Sequence, residues 1–293
     1  MTDIECVVDA HALLGESTYW DPKAAVLWWI DIYAKAVHRF DPSTRRDEVF
    51  ALPDYPGCLA VRERGGLVLT TAEGFHFFEP ATGRLQRIVD PESEMPDTRF
   101  NDGKTDRQGR FWSGTMFEAT GKPAAKIGAL YRLDTNLSAH RVVQNVGCSN
   151  GLAWSPDSRT MYFTDSHTPH VWAYEFDPAT GEVGGRRVFV DLSSMQGIVD
   201  GSTVDREGCY WLTVPFKGKV MRFDPQGQLM RTIDMPTDIP TCCEFGGENL
   251  DVLYVTTATL RRAPDALKDQ PLAGGLFAID VGATGLPLVP FKG

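Results

Sequence analysis

The strongest constraint on this chain is a punctuation mark that recurs six times. An aromatic or aliphatic residue is followed by an acid and then by turn-forming residues: Phe40-Asp41-Pro42-Ser43-Thr44, Phe78-Glu79-Pro80-Ala81-Thr82-Gly83, Leu133-Asp134-Thr135-Asn136, Phe176-Asp177-Pro178-Ala179-Thr180-Gly181, Phe223-Asp224-Pro225-Gln226-Gly227 and Ile279-Asp280-Val281-Gly282. Successive acids lie 38, 55, 43, 47 and 56 positions apart. Each mark carries turn chemistry: an acid that can bond backbone N–H groups ahead of it, with proline fixing φ or glycine supplying a positive φ in most copies. Upstream of most marks a second polar turn leads into an aromatic strand, as in Asp106-Arg107-Gln108-Gly109-Arg110-Phe111-Trp112, Ser155 to Tyr162 and Asp205-Arg206-Glu207-Gly208-Cys209-Tyr210-Trp211. Looser relatives precede Leu27-Trp28-Trp29, Leu67-Val68-Leu69 and Leu253-Tyr254-Val255, which again makes six.

The runs between the marks are short, such as Met161 to Thr164 and Tyr210 to Val214, and no stretch sustains a 3.6-residue apolar period over three turns. Six units in 293 residues come to about 49 residues each, near the ~40–50 of a four-stranded propeller blade. The expectation is an all-β chain: a six-bladed β-propeller with four-stranded antiparallel blades. Residues 1–293 would form a single domain, since cutting the ring exposes blade faces. The strand near Ile4 to Val8 should pair with the last blade near Gly275 to Asp280 and latch the ring. The competing arrangement is a β-sandwich or two smaller β domains.

Composition narrows the function classes. With 42% hydrophobic and 23% charged residues the chain is too apolar to be disordered. The 29 Lys+Arg against 39 Asp+Glu leave a net charge of -10, which repels a phosphate backbone or an anionic membrane surface, so no nucleic acid partner is expected. Six cysteines with no C-x-x-C pair are expected to be reduced thiols packed as small hydrophobes. Met1 to Ala10 carries Asp3, Glu5 and Asp9 instead of a basic region and an apolar run, so the cytoplasm is the expected location. The most apolar segment, Ala24 to Ala36, is interrupted by Asp31 and Lys35, well short of the roughly 20 apolar residues of a membrane span.

A propeller can converge polar residues from several blades on its central channel. Three candidates stand immediately ahead of short strands: Glu16 in Leu14-Gly15-Glu16-Ser17, Asn150 in Ser149-Asn150-Gly151-Leu152-Ala153-Trp154, and Asp200 in Val199-Asp200-Gly201-Ser202. Arg99-Phe100-Asn101-Asp102-Gly103-Lys104 has the same layout with a cation added. Taken singly each is an ordinary turn former or solvated acid; the recurrence in blades one, three, four and five is the signal. Two carboxylates and one or two amide oxygens suit a divalent cation that prefers oxygen. Gly147-Cys148-Ser149-Asn150-Gly151 also fits the G-x-S-x-G nucleophile elbow, but that elbow needs a following helix and a second strand is expected here. His167 and His170 flank Pro169, which breaks the helix that would put both on one face, so they are assigned to a rim loop.

The segments Gly15-Glu16, Arg99 to Lys104, Gly114-Thr115-Met116, Ser149 to Ser155 with Tyr162 to Ser166, and Asp200-Gly201 resemble the SMP-30/gluconolactonase/regucalcin family of sugar lactonases, in order along nearly the whole chain. The resemblance implies a six-bladed propeller. It implies one divalent metal ion (Ca, Zn, Mn, Mg or Fe) held by Glu16, Asn150 and Asp200, with Arg99, Asn101 and Glu118 touching the sugar. The family often has proline before the aspartate and after Gly-Glu-x, where this chain has Val199 and Thr18; neither departure removes a ligand. The implied activity is a metal-dependent hydrolase opening a small-molecule aldonolactone, with Asp200 or a hydroxide on the metal as base. The alternatives are a propeller esterase or lactonase acting on less polar esters through an aromatic-lined pocket, and a non-catalytic divalent-cation-binding propeller.

Overall fold

The computed structural model describes residues 3–119, 121–195, 197–260 and 262–293. Among the described residues there are twenty-four strands and one five-residue helix, Pro264–Lys268. The strands form six four-stranded antiparallel sheets, five of them built from four consecutive strands. The sixth takes Pro240–Gly246, Val252–Thr257 and Leu276–Asp280 and adds Ile4–Val8 from the start of the chain as its outer strand. That pairing, with Ile4 opposite Ile279 and Val8 opposite Leu276, closes a six-bladed β-propeller by the latch that the sequence predicts. No described helix is long and apolar enough to cross a membrane.

The two punctuation marks occupy fixed places in every blade. The Asp-Pro marks turn the third strand into the fourth or, at Asp280, end the last blade's third strand; Asp41, Asp177, Asp224 and Asp280 each accept the N–H two residues ahead at 2.9, 2.9, 2.9 and 3.0 Å. The upstream marks turn the first strand into the second. In blades three and five they are clasps. Asp106 Oδ2 accepts from Trp112 Nε1 at 2.9 Å and from Arg110, and Asp205 Oδ2 accepts from Trp211 Nε1 at 2.9 Å and from Arg222. Each acid also accepts backbone N–H bonds from its own turn, so the six-residue Asp-to-Trp spacing ties turn to strand.

The apolar core lies between the blades. Trp112, Trp154 and Phe176 fill the seam between blades three and four, Tyr162, Phe189 and Tyr210 the next, and Trp211 with Phe245 the one after. Trp20, Phe40 and Tyr254 fill the seam across the latch. Each such side chain contributes about 1.5–3 kcal/mol by leaving water. Trp28, Trp29 and Trp112 are all buried and serve in packing. The tail after Asp280 lies against the first turns: Gly285 bridges Asp205, Phe291 bridges Arg62 and is buried, and Lys292 N–H donates to the Gly109 carbonyl at 3.0 Å. This strap holds turns of blades two, three and five together at the end of the channel opposite the site described next.

The innermost strands are Gly15–Asp21, Pro56–Val61, Thr98–Thr105, Ser149–Trp154, Ser202–Val204 and Pro240–Gly246. Five of them slip register near their start: after Glu16, Pro56, Phe100, Asn150 and Pro240. A bulge re-aims the side chains beside it. In two blades its first residue takes a left-handed conformation, Ser17 at φ 52 and Gly151 at φ 64. A side chain at Gly151 would also lie 2.8 Å from Thr164 Cγ2 and Tyr210 Oη, which explains the glycine. Buried hydroxyls on second strands bond to these irregular stretches: Cys58 N–H donates to Thr70 Oγ1 at 3.2 Å, Cys242 N–H to Thr256 Oγ1 at 3.1 Å, and Thr213 Oγ1 to the Thr241 carbonyl at 2.6 Å.

Candidate functional site

The bulges sit where the functional candidates are. Glu16 and Asn150 are each the second residue of an innermost strand and immediately precede its slip. Asp200 lies two residues ahead of its short strand and is anchored by its own N–H to the Thr213 carbonyl at 3.2 Å, while Gly201 N–H donates to the Thr241 carbonyl at 2.8 Å. Glu16, Arg99, Asn101, Glu118, Asn150 and Asp200, from blades one, three, four and five, all line one cavity of about 390 Å³ at the channel mouth.

A line of hydrogen bonds runs along its polar wall. Tyr33 Oη, from blade one, donates to Glu118 Oε1 at 2.5 Å, and Glu118 is ion-paired with Arg99 Nε. Arg99 Nη1 donates to Asn101 Oδ1 at 2.9 Å and to the Phe100 carbonyl at 2.9 Å. Asn101 Nδ2 donates to the Ser149 carbonyl at 2.9 Å and to Asn150 Oδ1 at 3.3 Å. Asn150 Nδ2 donates to Ser166 Oγ at 2.8 Å, and Ser166 Oγ donates to the Val199 carbonyl at 2.5 Å, one residue from Asp200. Both amides therefore have a defined nitrogen and a defined oxygen end.

The floor carries excess negative charge. Glu16 and Asp102 are buried, and Asp200 faces them closely enough for their charges to act on it. Burial and the neighbouring Asp102 push the Glu16 carboxyl up to about 8. Enclosure by the pocket wall, then Glu16 and Asp102, push Asp200 well above the usual carboxylate range. Asp102 is also raised by burial, against the pull of Lys104 and of the Leu152 and Gly103 N–H groups, which bond it at 3.2 and 2.9 Å. The nearby cations are taken: Lys104 Nζ donates to Glu244 Oε2 at 2.6 Å and Arg99 holds Glu118. Carboxylates crowded in this way without a counter-charge, beside an amide oxygen, fit a hard divalent cation.

Other candidates separate from this site. Ser149 lies inside a strand, is buried, and packs so closely that a side chain at Gly114 would lie 1.8 Å from its Oγ; a strand and no helix follows, so it is not a nucleophile elbow. His167 reaches the cavity rim, whereas His170 opens the strand His170–Phe176 and faces Asp191 at 3.6 Å. All six cysteines are free thiols. Desolvation, with Asp200 nearby, pushes the Cys148 thiol in the cavity wall up to about 12. Asp205, Glu207 and Cys209 cluster at the opposite face, but Arg222 and Trp211 already satisfy the two acids. Asp102 and Tyr33 escaped sequence reasoning. Asp102 was visible inside the Asn-Asp-Gly-Lys motif, while Tyr33 lies in a loop with no local pattern.

The family model described as the SMP-30/gluconolactonase/LRE-like region matches residues 14–259. A protein named putative sugar lactone lactonase YvrE from Bacillus subtilis is 32% identical over 286 residues, covering 97% of each chain. A 6-deoxy-6-sulfogluconolactonase from Pseudomonas putida is 35% identical over 292 residues, covering 99% of each. The crystal structure of regucalcin from Agrobacterium tumefaciens, described as a calcium-binding protein, superposes with a TM-score of 0.94 at 27% identity, covering 99% of this chain and 97% of that one. With its propeller, its converging channel-mouth residues and these relatives, the chain belongs to the SMP-30/gluconolactonase/LRE-like family.

Proposed function

We propose that this protein is a divalent-metal-dependent hydrolase that opens an aldonolactone to the free sugar acid, with Glu16, Asn150 and Asp200 as metal ligands. The observation that carries the reading is the crowding of Glu16, Asp102 and Asp200 beside the Arg99–Asn101–Asn150 hydrogen-bond line in one cavity. The lactonase names of the relatives support the substrate class. When bound, the cation supplies positive charge that polarises the lactone carbonyl and stabilises the developing oxyanion.

The chain's own residues do the rest. Arg99 and Asn101 hold ring hydroxyls and so keep the carbonyl carbon at the floor, the orienting contribution that turns an encounter into a near-attack geometry. Glu118, fixed by Tyr33 and Arg99, offers a carboxylate oxygen to a further hydroxyl and locks the Arg99 guanidinium. Asp200 takes the proton of the attacking water as the new C–O bond forms and delivers it to the ring oxygen as the ring C–O bond breaks, leaving a carboxylic acid and a free hydroxyl. Asp200→Ala should lose at least about 100-fold in kcat, the low end for a general base. Lactone opening that survives Asp200→Ala within a few fold would overturn the assignment.

A further inference from the structure

The cavity has two unlike walls. Blade three supplies the polar Arg99, Asn101 and Glu118 beside Met116, Phe117 and Ala119. Across the ring, blade six supplies Ile239, Ala258 and Leu260, and beside it blade five supplies Pro215 and Phe216, with Ile198 on the segment leading into that blade. Among the described lining residues, none with a hydrogen-bonding side chain interrupts that arc above Thr241. Ile198 is 36% exposed at the mouth, an apolar side chain held where solvent or ligand meets it. Phe216 adopts φ 64, a left-handed conformation unfavourable for a bulky residue, and the Arg262 guanidinium lies over its ring at 5.0 Å. Arg262 is itself ion-paired with Asp238. A strained aromatic kept in a cavity wall by a stacked, charge-neutralised arginine is a built surface, and strain of this kind gathers at ligand sites.

The charge pattern points the same way. Among the described lining residues Arg99 is the only Lys or Arg, and its charge is already paired with Glu118. Three carboxylates, Glu16, Glu118 and Asp200, share the lining. With Glu16 and Asp200 held on the cation and Glu118 paired with Arg99, an anionic terminus against blades five and six would lose its water and find no partner among the described lining residues, and a terminal hydroxyl there would do the same at smaller cost.

Resting on the lactonase reading, we infer that the preferred substrate class is a deoxyaldonolactone: a sugar lactone whose ring hydroxyls face blade three and whose exocyclic chain ends in a methyl group against blades five and six. A terminal hydroxyl is tolerated poorly and a terminal anion is rejected. A hydrophobic pocket discriminates against an added hydroxyl by up to about 100-fold, so the methyl-terminated compound should be favoured by roughly 10- to 100-fold.

The test compares kcat/KM of the metal-loaded full chain on three matched 1,4-lactones: a 6-deoxyhexonolactone, its parent with a 6-hydroxyl, and its 6-sulfonate. The expected order is deoxy, then parent, then sulfonate. Ile198→Ser, at an exposed position, should shrink the deoxy-over-parent ratio to within about threefold by removing part of the apolar wall. Phe216→Gly should do the same while relieving the left-handed strain. Opening of all three lactones with equal or reversed preference, or a ratio unmoved by both variants, overturns this inference and leaves the lactonase reading standing. Opening of none of them, or of any pentonolactone, under every cation removes the lactonase reading and this inference with it.

Discussion

Lys104→Met tests how the channel is held together. The Lys104 ammonium comes from blade three and meets Glu244 of blade six at 2.6 Å and the Ser202 carbonyl of blade five at 2.8 Å. The side chains are 10% and 1% exposed, so water cannot stand in for either partner. Glu244 Oε1 also accepts from Thr203 Oγ1 at 2.7 Å and from Phe245 N–H at 2.9 Å. Removing one member of such a buried pair costs about 3–5 kcal/mol, because the other charge is left desolvated and uncompensated. At roughly 2.1 cal/mol/K per residue the unfolding entropy is about 0.6 kcal/mol/K, so Tm should fall by roughly 5–8 °C. The double variant Lys104→Met/Glu244→Gln removes the orphaned charge while a neutral side chain keeps the Thr203 and Phe245 contacts, and it should recover at least half of that loss. The assay is thermal and urea unfolding followed by far-UV circular dichroism on the parent, the single and the double variant. A single variant within about 1 kcal/mol of the parent, or a double variant no more stable than the single, would refute the reasoning.

Three further outcomes follow from the same contacts. Tyr33→Phe deletes the 2.5 Å bond to Glu118 and loosens Arg99, so KM for the lactone should rise about three- to tenfold while kcat changes little; equal loss in kcat would point away from a positioning role. Gly151→Ala forces a side chain into a left-handed position 2.8 Å from Thr164 and Tyr210, and should cost about 2–4 kcal/mol in urea unfolding together with weaker cation binding through its neighbour Asn150. In the metal-free protein, the folded state binds the Glu16 proton more tightly than the unfolded chain does, its value rising from 4.5 to about 8. Stability should therefore fall as pH rises from about 4.5 to about 8 and level off above it, and a saturating divalent cation should flatten the curve. A metal-free Tm that climbs across that interval would contradict the crowded-carboxylate account.

Much of this organisation is legible in the sequence because it rests on local chemistry. The Asp-Pro and Asp-x-x-Gly marks are turns wherever they occur, so their sixfold recurrence reports blade number and strand order directly. The latch is readable because Ile4 to Val8 is a strand with no neighbour of its own. Glu16, Asn150 and Asp200 could be picked out because each precedes a small residue and a short apolar strand, and the structure brings all three to one cavity with Arg99, Asn101 and Glu118. What stayed hidden depends on distance across the ring. Asp102 reads as part of a turn until the slip after Phe100 and the Leu152 N–H at 3.2 Å show it buried beside Glu16 and Asp200. Tyr33, Phe216 and Leu260 come from loops between second and third strands, where no periodicity says which side chain turns inward. The strap ending in Phe291 gives no strand signal, and its place follows from single bridges to Asp205 and Arg62.

The central claim, that Glu16, Asn150 and Asp200 together hold one divalent ion needed for lactone opening, is tested most directly by stripping the protein of metal with a chelator. Acid release from a panel of pentono- and hexonolactones is then followed before and after each of Ca, Zn, Mn, Mg and Fe(II) is restored. The account predicts opening that vanishes on stripping and returns with a single equivalent of at least one cation in the parent but not in Glu16→Gln. Opening that proceeds undiminished in the stripped protein, or that returns equally in Glu16→Gln, would contradict it.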